Sequence, residues 1–181
     1  LQDIEPPSEA MIQIRTAEDF IDRGWTRRQR RRRIARDRGV LPRILRLFVE
    51  HAGPVSRTAR AQAVPGLTPS RLDRELTRLD VQDLIVLTDD AVAMAYPFSG
   101  LPTPFVVRLA NGNERYSCCA TDALGIAAML RQRIEIRSRC HHCGEALALA
   151  AEPSGPEPAA ANMMVWVGRR GAEDQRACTS L

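Results

Sequence analysis

Apolar positions settle first into a helical rhythm at Leu41, Ile44, Leu45, Phe48 and Val49, the i, i+3, i+4, i+7, i+8 spacing of one buried helix face. Pro42 is tolerated in the first turn of such a helix, and Ala52-Gly53-Pro54 stops it. Ser56 is placed to cap a second short helix through Val64, which Pro65-Gly66 breaks. Thr68-Pro69 then opens a third helix, on which Leu72, Leu76 and Leu79 share a face. After these three helices, Leu84–Leu87 and Ala91–Ala95 flank Thr88-Asp89-Asp90 as strand, turn and strand, completing a winged-helix pattern.

Beyond Tyr96-Pro97-Phe98-Ser99-Gly100-Leu101-Pro102-Thr103-Pro104 the period shortens from helical to strand-like. Phe105–Leu109 and Arg115-Tyr116 bracket Asn111-Gly112, a hairpin signal. A helix is expected over Ala123–Leu130. Ile134–Arg137 and Ala146–Leu149 are expected to pair across Cys140-His141-His142-Cys143-Gly144. Glu152–Ala161 reads as a Pro/Ala/Gly linker, and Met163–Val167 and Arg176–Cys178 as a last hairpin around Gly168–Gly171. The expected class is α+β: an N-terminal winged-helix-like three-helix region followed by an antiparallel sheet domain carrying the Cys119 helix. The divisions are a basic, partly disordered arm over 1–38, a winged-helix-like domain over 39–96 and a sheet domain over 97–181.

Composition narrows the class. With 181 residues, 44% hydrophobic and 27% charged, the chain is globular, and no apolar run approaches the length of a membrane span. All 26 basic residues are arginine, which fits a GC-rich coding bias better than any selected chemistry. Eleven of them lie between Arg23 and Arg46, so the formal charge of +4 is local excess on an otherwise acidic chain. That run could grip phosphates, although a solvated basic helix is the plainer use of it. Five cysteines, an odd number that includes an adjacent pair and a Cys-x-x-Cys, suit free thiols or metal ligands in a reducing cytoplasm better than a disulfide framework.

Candidate chemistry concentrates in Tyr116-Ser-Cys-Cys-Ala-Thr-Asp-Ala-Leu124. Cys119 and Asp122 stand three residues apart, on one face of a helix. A thiolate grips a soft metal while a neighbouring carboxyl group moves a proton. Thr121 or Asp122 is the expected cap, and the positive helix end should favour a thiolate at Cys119. The same letters also suit a buried cysteine beside an ordinary capping aspartate.

Taken together, Tyr96-Pro-Phe-Ser99, Tyr116-Ser-Cys-Cys-Ala-Thr-Asp-Ala-Leu124 and Ser138-Arg-Cys140 resemble, in order and interval, the successive motifs of the organomercurial (alkylmercury) lyase family. The resemblance runs from about Val40 to the end. It implies protonolysis of a carbon–mercury bond to give a hydrocarbon and Hg(II), in mercury detoxification. It places the attacking thiol on Cys119 and the proton donor on Asp122, with the acid's pKa raised above its ordinary value of about 3.9. No organic cofactor is implied. Bound Hg(II) is the product, held by Cys119, Asp122 and a second thiol, and passed to cellular thiols or a mercuric reductase. The family's second thiol lies near the C-terminus, so the role falls on Cys178 or on a residue past Leu181. Trp166, Phe98 and Phe105 are candidates for an apolar wall beside the substrate.

By the same resemblance Cys140 is a structural thiol, while Cys143 departs from the family pattern and stands as a secondary thiol. Read without it, Cys140 and Cys143 have the spacing of half a zinc site, whose other half would have to be Cys118 and Cys119. Structural zinc is thus an alternative, though not the favoured one. His141 and His142 read as turn residues. A rival function is a non-enzymatic, metal-responsive winged-helix regulator that binds DNA through Arg71, Arg74 and Arg78 on the third helix. It predicts DNA affinity that falls steeply with salt.

Overall fold

The computed structural model describes residues 39–165, together with 14, 16, 18–20, 30 and 34. Two compact units divide the chain, Leu1–Ala35 and Arg36–Leu181. In the first, Glu18–Phe20 form a single 3-10 turn, and Asp19 Oδ2 accepts from the Thr16 N–H at 2.9 Å. Most of the arginine run, Trp166 and the Arg176–Cys178 arm of the expected last hairpin lie outside the described residues, and Met163–Val165, at the start of its first arm, form no strand.

The second unit opens with the three helices expected from the apolar spacing. Helix α1 (Leu41–Glu50) buries Leu41, Ile44, Leu45 and Phe48 and carries its proline in the first turn. Helix α2 (Arg57–Ala63) is capped by Ser56, whose hydroxyl accepts from the Ala59 N–H at 3.2 Å. Helix α3 (Pro69–Val81) buries Leu72, Leu76 and Leu79. Around them run β1 (Val55–Ser56), β2 (Ile85–Leu87) and β3 (Ala91–Ala95), the strands that follow α3 pairing antiparallel as a hairpin. The sheet continues without a break through β4 (Phe98–Ser99), β5 (Phe105–Arg108), β6 (Glu114–Ser117), β7 (Ile134–Arg139), β8 (Ala146–Glu152) and β9 (Gly155–Pro156). Its order is β1-β3-β4-β6-β5-β7-β8-β9, with β2 on the other edge of β3, and every pairing is antiparallel. Helix α4 (Ala120–Leu130) covers the β5–β9 end, burying Ala123, Ile126 and Ala127 near Val107, Ile134, Ile136 and Ala151. No helix among the described residues is long and apolar enough to cross a membrane.

The expected linker over Glu152–Ala161 is instead ordered. Gly155, at φ +142°, reverses the chain so that β9 pairs with β8, and the Glu157 N–H donates to the Ala150 carbonyl at 2.9 Å. Pro158–Ala160 then form a 3-10 turn that buries Ala160. Small residues that look featureless as a linker are what a tight turn against the sheet requires.

Two contacts tie the helical layer to the sheet. Arg115, buried on β6, donates from Nε to the Phe48 carbonyl at 2.8 Å and from Nη2 to the Val49 carbonyl at 2.7 Å. These are carbonyls of the last turn of α1, which have no partner within the helix and sit at its negative dipole end. Replacing Arg115 with leucine strips that charge and leaves the carbonyls dry. We expect a loss of about 2–4 kcal/mol, read as a lowered urea midpoint at unchanged slope. At Gly100 the constraint is space: a Cβ there would meet Pro54 N at 2.6 Å and Pro54 Cα at 2.7 Å. Both obstacles are backbone and cannot rotate away. Gly100→Ala is expected to cost at least about 2 kcal/mol, and a thermal midpoint equal to that of the parent chain would contradict the reading.

Candidate active site

The site is built where β6 runs out into α4. Ser117, fully buried, donates its hydroxyl to the Pro97 carbonyl at 3.1 Å, and the Cys118 N–H donates to the same carbonyl at 3.0 Å. The Cys118 thiol points inward and donates to the Phe98 carbonyl at 3.2 Å. Pairing of Phe98 with Ser117 and of Ser99 with Tyr116 brings two distant sequence segments side by side. Thr103 adds a third support, its hydroxyl donating to the Ser117 carbonyl at 2.6 Å. The strand end is therefore held on several sides before the chain turns into the helix.

Alternation then decides the direction of the next side chain. Cys118 is buried, so Cys119, in extended backbone at φ −156° and ψ 176°, faces the other way. It is the N-cap of α4. The expected cap, Thr121 or Asp122, is corrected here: Cys119 Sγ itself accepts from the Asp122 N–H at 3.4 Å. In return Asp122 Oδ2 accepts from the Cys119 thiol at 3.2 Å. Only the first bond of a capping box is present, with sulfur in place of the serine oxygen; the carboxylate takes the thiol and not the backbone N–H. Thr121 Oγ1 lies 3.4 Å from the same sulfur.

Burial pushes the Cys119 thiol above its ordinary value of 9.0, and the negative charge of Asp122 adds to the shift. Hydrogen bonds from the Thr121 hydroxyl and the Asp122 N–H pull the other way and lose. The helix end thus does not make Cys119 a resting thiolate, contrary to the expectation from the dipole alone. The protonated thiol is favoured, with Asp122 Oδ2 as its acceptor. Because Thr121 is the side chain that stabilises the anion, Thr121→Val should move the pH midpoint of Cys119 alkylation by iodoacetamide further to the alkaline side. An unchanged or more acidic midpoint would remove Thr121 from the account.

The other candidates separate. Phe98 is fully buried and stacks on Phe48 with ring centroids 6.4 Å apart, so it is core and not a substrate wall. Phe105 is half-buried on β5, and Trp166 lies outside the described residues, as does Cys178. Cys140 and Cys143 share the β7–β8 turn. Among the described residues no three or more His, Cys, Asp or Glu side chains gather closely enough to hold a metal ion, so this turn is not joined there to Cys118 and Cys119. The contacts made by Pro97, Phe98, Thr103 and Arg115 carried no local sequence signal, since each acts on a residue distant in the chain, although Tyr96-Pro-Phe-Ser99 stood out as a motif.

Sequence comparison reaches the same segment from outside. The profile of the family MerB, alkylmercury lyase, matches residues 98–181. This is an alkylmercury lyase-like region. It contains Cys119, Asp122, Cys140, Cys143 and Cys178 in one matched span. No curated protein matches the chain by sequence. Among solved structures, one described as the crystal structure of the mercury-bound form of MerB2 is similar, with TM-score 0.56 and 18% identity. The match covers 73% of this chain and 66% of that one, so the chain spans just under two thirds of that structure. Likeness at this identity establishes a shared mixed fold of helices and antiparallel sheet. The alkylmercury lyase-like region thus coincides with the sheet and helix that present Cys119 and Asp122.

Proposed function

We propose that the chain is an organomercurial lyase, which cleaves R–Hg–X by protonolysis to RH and Hg(II). The observation that carries the reading is the Cys119 thiol donating to Asp122 Oδ2 at 3.2 Å at the start of α4. Sulfur is a donor that prefers a soft metal, and its proton already rests against the group that must later deliver it. When Cys119 attacks mercury, the S–H bond breaks, its proton passes to the Asp122 carboxylate, a sulfur–mercury bond forms and X leaves. A second thiolate, assigned to Cys178 and having released its proton to solvent, adds to mercury and loads it with electron density. The Asp122 carboxyl then gives its proton to carbon, so the carbon–mercury bond breaks as the carbon–hydrogen bond forms. Asp122 is again a carboxylate, and it helps coordinate Hg(II) until cellular thiols or a mercuric reductase take the metal.

In this reading the protein acts in the cytoplasm, and the helices and strands over 39–96 are a winged-helix-like scaffold for the lyase region. DNA reading by that scaffold is not adopted, because nothing observed at Arg71, Arg74 and Arg78 favours it, and Arg78 has surface partners in Glu75 at 2.8 Å and Gln82 at 3.4 Å. The test is release of methane or benzene from methylmercury or phenylmercury in excess small thiol. Mercury retained without hydrocarbon release would reject the lyase.

A further inference from the structure

A second pair of thiols stands in a turn that the reaction above does not use. Strands β7 and β8 pair from Ile134 opposite Ala151 to Arg139 opposite Ala146, and the chain reverses through Cys140-His141-His142-Cys143-Gly144. The base of the turn is closed twice, by the Cys140 N–H on the Glu145 carbonyl at 2.8 Å and the Gly144 N–H on the Cys140 carbonyl at 2.9 Å. Arg139 braces it by donating to the Gly144 carbonyl at 3.2 Å. Gly144 takes φ +75°, a conformation that a side chain would oppose. Within this frame the backbone N–H groups of Cys143 and His142, and the Cys143 thiol, draw the Cys140 thiol below its ordinary pKa. Both cysteines are free, and Cys143 is exposed.

We infer that the Cys140–Cys143 turn is a second soft-cation site, which takes Hg(II) as a two-coordinate dithiolate apart from the Cys119–Asp122 pair. Donor count sets the coordination. Among the described residues no third His, Cys, Asp or Glu joins the two sulfurs, whereas zinc in a structural site takes four ligands. Hg(II) is a soft ion that two sulfurs satisfy, so the turn selects it by both donor type and donor number. The N–H groups that lower the Cys140 pKa would also compensate the negative charge of the bound thiolates. On binding, two S–H bonds break, two S–Hg bonds form and both protons leave to solvent. Mercury stays divalent and no electron is transferred. The inference does not depend on the lyase reading, since it concerns thiols outside that reaction.

The test uses the full chain carrying Cys119→Ala and Cys178→Ala, which leaves Cys140, Cys143 and the buried Cys118. The reduced protein is titrated with mercuric chloride against millimolar glutathione, with native mass spectrometry for stoichiometry and X-ray absorption for the ligand shell. We expect one Hg(II) per chain with two Hg–S contacts, and a loss of at least about a hundredfold in apparent affinity when Cys143→Ser removes the chelate. A wild-type chain mapped by maleimide labelling should lose labelling at Cys140 and Cys143 together once mercury is added, a readout that needs no variant to fold. Mercury held equally well after Cys143→Ser would overturn the inference, as would failure of the parent chain to compete with glutathione. Preferential assembly of a zinc-linked dimer through four sulfurs would overturn it too.

Discussion

Cys119→Ser is expected to abolish hydrocarbon release, by at least about a thousandfold, while leaving the fold intact or slightly firmer. The substitution separates two functions that one atom performs. As a helix cap, Cys119 Sγ accepts from the Asp122 N–H at 3.4 Å, and a serine hydroxyl is a preferred acceptor in that position. As a nucleophile, sulfur is matched to mercury in a way that oxygen is not. A purely structural cysteine would therefore be replaced by serine without functional loss. The measurements are the thermal midpoint and benzene release from phenylmercury under the same thiol excess. Retained release in a stable Cys119→Ser chain would remove Cys119 from the chemistry. Cys119→Ala is the poorer test, because it also deletes the cap at a cost of about 1 kcal/mol and confounds stability with reaction.

What could be read in the letters was whatever is local. The spacing of Leu41, Ile44, Leu45 and Phe48 is a property of one helix, the Ser56 cap reaches only to Ala59, and the reversal between β5 and β6 is carried by Asn111-Gly112. The pairing of Cys119 with Asp122 was legible for the same reason, since three residues on a helix are neighbours whatever the fold. The cap itself differs from the expected one because capping preferences describe oxygen side chains, and a cysteine at that position carries no such signal. The protonation of Cys119 departs from the helix-end expectation for a different reason. A helix end can be read from sequence, but the burial that outweighs it comes from packing. Nothing in Tyr96-Pro97-Phe98 announces that its carbonyls hold Ser117 and Cys118, because those contacts exist only once β4 lies beside β6. The role of Arg115 likewise depends on the last turn of α1 lying within its reach.

Replacing Asp122 with asparagine should separate proton delivery from mercury capture. Asparagine keeps the length of the side chain and preserves the backbone N–H that Cys119 Sγ accepts, so the start of α4 is retained. What it lacks is a group that accepts the thiol proton and later gives it up. Loss of a positioned general acid typically costs a factor of about 10² to 10⁴, and that is the fall expected in turnover. The thiol should respond in the opposite sense. The negative charge of Asp122 and its acceptor oxygen both hold Cys119 protonated in the parent chain. Asparagine keeps an acceptor oxygen but removes the charge, which is the larger of the two effects, and so lowers the pH midpoint for alkylation of Cys119; the variant becomes the more reactive thiol at neutral pH even as it becomes the poorer catalyst. A merely destabilised site would lose both properties, and a site in which Asp122 only caps the helix would lose neither. The pair of measurements is an alkylation rate followed against pH and hydrocarbon release at fixed pH. Release unchanged in Asp122→Asn, with the thiol midpoint lowered as expected, would mean that the proton reaching carbon comes from another donor.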